Sequence, residues 1–126
     1  MEDPVGQVSK SVGEAMIRAT VAAFYRRVEV DDILRPMYPA SDLAGAEQRL
    51  ADFLVGRFGG PQRYVETRGH PRLRMRHARF PIGRVARDRW MKLMNEAMEE
   101  AGFPQPERAR VQEFLAGVAS FLINRA

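Results

Sequence analysis

The residues whose types could do chemistry at a single site are few: two histidines, three tyrosines and one tryptophan. Both histidines, His70 and His77, lie in "RGHPRLRMRHARFPIG", Arg68–Gly83, among five arginines. They stand seven apart, which on an unbroken helix would be two turns. Pro71 prevents that, because proline starts a helix and pushes the residue before it into an extended or capping conformation. A two-histidine zinc site wants the i, i+4 spacing or a carboxylate partner, and neither is present. The chain has no cysteine, which excludes disulfides, thiolate metal sites and cysteine nucleophiles. No serine-nucleophile motif and no glycine-rich phosphate loop occurs.

The elements that must position these residues read as helices. In "SVGEAMIRATVAAFYRRV" Ser11 precedes Glu14 by the capping-box spacing, and Ile17, Val21, Phe24 and Val28 recur on one helical face. Asp31 or Asp32 is expected to cap a short turn restricted by Pro36. A second helix follows "YPASD", with Leu43, Ala46, Leu50, Phe53 and Leu54 on one face, and Gly59-Gly60-Pro61 ends it. A short helix or turn is expected around Gln62–Thr67 and a short helix at Leu73–Ala78, then a turn at Phe80–Gly83. A long helix carries Ala86, Trp90, Leu93, Met94, Ala97 and Ala101, "GFPQPE" breaks it, and a last helix carries Val111, Phe114, Leu115, Val118, Phe121 and Leu122. No alternating strand pattern appears, so the class is all-α in one domain of 126 residues. The irregular stretches are long for a simple four-helix bundle, which suggests that something besides helix contact fills part of the core.

Charge is unevenly spread. The net charge is +4, and 18 of the 20 basic residues are arginine. From Arg63 to Arg89 nine arginines meet only two acids, Glu66 and Asp88. This run is the support for one function class, a basic helical nucleic-acid-binding module. Against it, no helix-turn-helix spacing and no aromatic–basic interleaving is found. No apolar run approaches a membrane span and the N-terminus has no signal-peptide pattern, so the expected location is the cytoplasm.

A histidine acting alone is by pattern a surface or capping residue, or else it serves one further chemistry. A neutral imidazole can take one axial position of a haem iron while its other nitrogen donates to a backbone carbonyl, and for His77 that carbonyl would be Leu73's. Tyr25 and Trp90 read equally as core aromatics, and Tyr38, before Pro39, as a turn packer.

The stretch "LAGAEQRLADFLVGRFGGPQRYVETRGHPRLRMRHARFPIG…RDRW" closely resembles a group II truncated haemoglobin. The resemblance spans about Phe24 to Leu122. "FY" at 24–25, "YP" at 38–39, "DLAGAEQRL" at 42–50, "GGP" at 59–61, "GHPRLRMRH" at 69–77 and Trp90 stand in the expected order. It implies a globin-like two-over-two helical sandwich, a truncated globin enclosing haem b (iron protoporphyrin IX). It also implies His77 as the iron ligand and Tyr25, Tyr38 and Trp90 around the distal ligand. Ala46 falls where many globins place a distal histidine. Leu50, Phe53, Leu54, Phe80, Ile82 and Met94 are implied as pocket wall, and Arg49, Arg76, Arg74 and Tyr64 as contacts of the haem propionates. The departure lies at the N-terminus: the family's glycine pair appears as Val12-Gly13-Glu14, and residues 1–10 match nothing and are expected to be a flexible extension of a domain at 11–126.

The implied function is binding of dioxygen, nitric oxide or a similar diatomic ligand. Two options stay open within it: oxygen binding, or redox turnover of nitric oxide or peroxide. The second needs an external reductase, because the chain holds no electron donor.

Overall fold

The computed structural model describes residues 3–125. Among them every regular element is helical: α1 (Val8–Val12), α2 (Glu14–Glu29), a 3-10 turn (Arg35–Met37), α3 (Leu43–Arg57), α4 (Arg63–Arg68), α5 (Leu73–His77), α6 (Arg84–Ala101) and α7 (Glu107–Phe121). The long helices form two pairs, α2 with α3 and α6 with α7, joined chiefly through α2 against α6. The core lies between the pairs. Phe24, Val21, Val28 and Ile17 of α2 are enclosed against Met94, Ala97 and Met98 of α6, with Val55 and Phe58 at the end of α3. The i, i+4, i+7 spacing of these positions dictates the faces that meet. Among the described residues no helix is long and apolar enough to cross a membrane.

Two aspartates cap the elements they precede, the second of them as expected. Asp42 accepts from the Gly45 N–H at 3.1 Å and starts α3. Asp31 accepts from the N–H groups of Ile33 (3.1 Å) and Leu34 (2.9 Å) and starts the turn that contains Pro36.

Two expectations are corrected. Ser11 does not cap α2. It lies inside α1, and Gly13 takes the capping position with φ +88°, a conformation in which glycine is favoured. Glu14 is thereby released from the capping box and pairs with Arg18 (2.8 Å) and Arg63 (2.6 Å). The second correction concerns the stretch expected as an extension. Met1 and Glu2 lie outside the described residues, but Val5 is 0 % and Val8 2 % exposed, both within the core. The Ser9 N–H donates to the Phe58 carbonyl at 2.9 Å. Gly59, at φ +94°, lets this segment approach: a side chain there would collide with the Gly6 backbone. The last helix is also less enclosed than its periodicity suggests. Val111 and Leu115 are buried, whereas Phe121 is 56 % exposed.

Candidate functional site

His77 ends α5, a helix of only five residues. Its Nδ1 lies 2.7 Å from the Leu73 carbonyl oxygen, one turn back. A carbonyl only accepts, so Nδ1 carries the proton and Nε2 presents a lone pair. The ring is half-buried and packs edge-on against Phe80, with centroids 6.4 Å apart. His70 differs: it is exposed, and its Nδ1 accepts from the Arg72 N–H at 3.1 Å. That bond occupies a ring nitrogen in local capping, where Arg72 takes the left-handed φ of +47°.

A second group forms where α2, the 3-10 turn and α6 converge. Tyr25 on α2 meets Tyr38, the residue that ends the turn, with ring centroids 5.5 Å apart and an interplanar angle of 80°. Phe24 packs against Tyr25 at 5.2 Å and against Trp90 of α6 at 5.1 Å. Burial, reinforced by Tyr38, pushes the Tyr25 hydroxyl far above the ordinary phenol range. Burial also raises the Tyr38 hydroxyl, and hydrogen bonding from Trp90 and Tyr25 toward its oxygen offsets part of that rise. Both phenols therefore stay protonated near neutral pH and can donate. Among the described residues no hydrogen bond or ring contact joins His77 to this trio.

Arg89, beside Trp90, braces the turn that ends in Tyr38. Its Nη1 reaches Asp31 at 2.6 Å and Asp32 at 3.3 Å. The Asp31 side chain is only 8 % exposed. Burial alone would raise its carboxyl, but the Leu34 N–H, Arg89 and the Ile33 N–H outweigh it and hold the group below the ordinary carboxylate range. A depressed carboxyl contributes stability that is present above its unfolded-state value and lost as pH falls through the folded-state value. Asp31→Asn is expected to lower unfolding free energy by about 1–3 kcal/mol at pH 7. The gap from wild type should narrow at pH 3, as read by urea denaturation at both pH values.

The implied wall residues fall into two sets. Leu50, Phe53 and Phe80 are half-buried and keep free surface, and Ala46 and Ile82 are buried at 8 % and 9 % exposure. Leu54 and Met94, at 3 % and 1 %, are enclosed within the core. Tyr64 is buried against Phe53, with centroids 5.6 Å apart. Arg49 pairs with Asp42 at 3.3 Å. Arg76 donates from Nε to the Pro71 carbonyl at 2.7 Å and from Nη2 to the Arg68 carbonyl at 3.2 Å, and Arg74 lies over the Phe121 ring at 5.1 Å. A separate groove of about 750 Å³, lined in part by Phe53, Leu73, Phe114 and Phe121, includes neither His77 nor the aromatic trio.

Much of the arginine run has work within the chain. Arg63, Arg87 and Arg89 form ion pairs, Arg76 holds carbonyls, and Arg74 and Arg79 lie over phenylalanine rings. This distribution weakens the nucleic-acid reading, which needs those groups aimed outward at phosphates.

Sequence reasoning missed one polar residue near His77. The Asn124 Nδ2 donates to the carbonyls of His77 (3.2 Å) and Phe80 (2.9 Å), and its Oδ1 accepts from the Ile82 N–H at 2.9 Å. No local signal marks it, because its partners are 42 to 47 positions away.

The donor chemistry can be matched to a prosthetic group. Among the described residues no cluster of three histidines, aspartates or glutamates could hold a bare metal ion. A lone imidazole with a free Nε2 suits a metal whose other ligands arrive with an organic ring. The half-buried apolar residues near it in sequence and on α3 suit the faces of such a ring. Helix α5 takes no part in the close packing of helix pairs.

Comparison with known proteins agrees with this geometry. The sequence model of the bacterial-like globin family matches residues 9–124. Group 2 truncated hemoglobin YjbI of Bacillus subtilis (strain 168) is 37% identical over 108 residues, covering 86% of this chain and 78% of that protein. The crystal structure of the hemoglobin of Chloroflexus aurantiacus superposes with a TM-score of 0.91 at 45% identity, over 94% of this chain and 98% of that one. A truncated oxygen-avid haemoglobin from Bacillus subtilis superposes with a TM-score of 0.89 at 34% identity, over 94% and 99% of the two chains.

Proposed function

The chain belongs to the bacterial-like globin family, with a truncated-globin fold, and from that premise we propose that it binds haem b through His77 and captures dioxygen or a related diatomic ligand. The observation that carries the reading is the His77 ring, whose Nδ1 proton is given to the Leu73 carbonyl and whose Nε2 lone pair is thereby directed away. That backbone bond fixes the tautomer and the orientation of the ring. Haem, when bound, supplies an iron with one coordination position open to a small gas.

The chain's own residues do the rest. Leu50, Phe53 and Phe80 exclude water with their free apolar surface, while Leu54 and Met94 support that wall from the core. Ala46 contributes no donor, so polarity on the distal side comes from the Tyr25, Tyr38 and Trp90 group. Tyr38 packs against Tyr25, and its hydroxyl, kept protonated by burial, would donate to a polarised ligand. In an apolar surrounding such donors count for more than in water. They are suited to slowing ligand release, and the B. subtilis relative is itself described as oxygen-avid.

Arg49, Arg76 and Tyr64 would serve anionic edges of the ring by bidentate or phenolic contacts, once Arg49 exchanges Asp42 and Arg76 exchanges its carbonyls. Arg74 is the weaker member of this set, being stacked on Phe121. Slow release favours ligand retention or redox turnover of nitric oxide or peroxide with an external reductase over transport, since a carrier must let go.

Titration of the purified protein with haem tests the proposal. One equivalent should produce an intense Soret band that survives gel filtration. A chain that stays colourless and takes up no haem would refute it.

A further inference from the structure

We propose that Asn124 is a positioning residue for His77, holding the one-turn helix α5 from outside and thereby setting how the imidazole is presented. The proposal rests on the reading of His77 as the iron ligand. A helix of five residues cannot hold itself: nucleation is unfavourable and short isolated helices are marginal in water. Its last carbonyls also lack intrahelical partners and need donors from elsewhere.

Local donors supply part of them, the Ala78 N–H reaching the Met75 carbonyl at 3.3 Å and the Phe80 N–H the His77 carbonyl at 3.0 Å, and the rest come from beyond the end of α7. The Asn124 amide donates to the His77 carbonyl at 3.2 Å and to the Phe80 carbonyl at 2.9 Å. Its oxygen accepts from the Ile82 N–H at 2.9 Å. Its main-chain N–H and that of Arg125 both donate to the Ile82 carbonyl, at 2.8 and 3.1 Å. The segment just after His77 is thus strapped to the end of α7 through both its donors and its acceptors. Only a side-chain amide offers two N–H groups and a carbonyl oxygen at that reach, so aspartate would lose both donor bonds and glycine or alanine all three. From within α5 the Arg76 guanidinium grips the carbonyls of Pro71 and Arg68, in the segment before the helix. Helix α5 packs closely against none of the other helices, so these straps carry its placement. They also couple α7 to the proximal side of the site.

The test compares haem-loaded wild type with Asn124→Ala and Asn124→Asp. Resonance Raman of the ferrous, ligand-free protein reads the iron–histidine stretch, and hydrogen exchange reads the Ile82 amide. Both variants should displace or broaden the iron–histidine band. Ile82 exchange should rise about tenfold in Asn124→Ala, which loses the acceptor, and stay near wild type in Asn124→Asp, which keeps it. If the alanine variant does not fold, the aspartate variant carries the Raman test alone. A band of wild-type position and width in the variants overturns the proposal. Absence of the band in wild type itself refutes the reading of His77 as ligand, and the proposal with it.

Discussion

His77→Gly should lose haem affinity by more than about 100-fold, with little change in helix content. The lower bound follows from partners one step removed from a metal, whose loss alone costs roughly 10–100-fold in affinity. The ligating side chain must count for more. Retained helicity is expected because His77 is half-buried at the end of α5, away from the tightly packed α2–α6 seam. The substitution removes the Nδ1 bond to Leu73 and the edge contact with Phe80, and neither belongs to the main core. Haem transfer to a competing apoprotein measures the affinity, and far-UV circular dichroism checks the fold. Equal retention by the two proteins would assign the iron to another group.

Trp90→Phe should raise the dioxygen dissociation rate by roughly 10–100-fold, the effect of losing a hydrogen bond of about 1.5–3 kcal/mol to a charged or strongly polarised partner. Phenylalanine keeps the ring that packs on Phe24 at 5.1 Å and removes only the indole N–H. Trp90 and Tyr25 both act to lower the Tyr38 hydroxyl, so the substitution also changes the surroundings of that phenol. Polar networks of this kind lose more than one bond's worth when a member is removed. Stopped-flow displacement of dioxygen by carbon monoxide gives the rate directly. An unchanged rate would reduce Trp90 to a packing residue, and Tyr38→Phe in parallel would show which donor matters more.

Local features of the site were the more readable ones in the sequence. The five-residue reach from Leu73 to His77 fits one helical turn, and the observed bond spans it at 2.7 Å. "YPASD" announced the start of α3, and "DDILRP" announced a capped turn, which Asp31 of the two aspartates makes. Non-local features were not readable. Val5 and Val8 carry too little periodicity to reveal a buried segment, and their burial depends on the Gly59 backbone more than fifty residues on. Ser11 and Glu14 had the spacing of a capping box, but Gly13 between them breaks the chain into two helices and separates the pair. Asn124 looks like any polar residue near a helix end until its partners at His77, Phe80 and Ile82 are seen. The arginines were readable as a charge excess and not as individuals, because side-chain partners such as Asp31 for Arg89 or the Pro71 carbonyl for Arg76 depend on tertiary placement.

On the proposed function, a single side chain, His77 through Nε2, ties the chain to haem. Imidazole rescue of His77→Gly tests it most directly, because glycine leaves a hole of the shape of the lost ring. The variant should hold haem weakly alone, and millimolar imidazole should restore both retention and the wild-type absorption spectrum. A variant that holds haem as tightly as wild type and ignores added imidazole would contradict it.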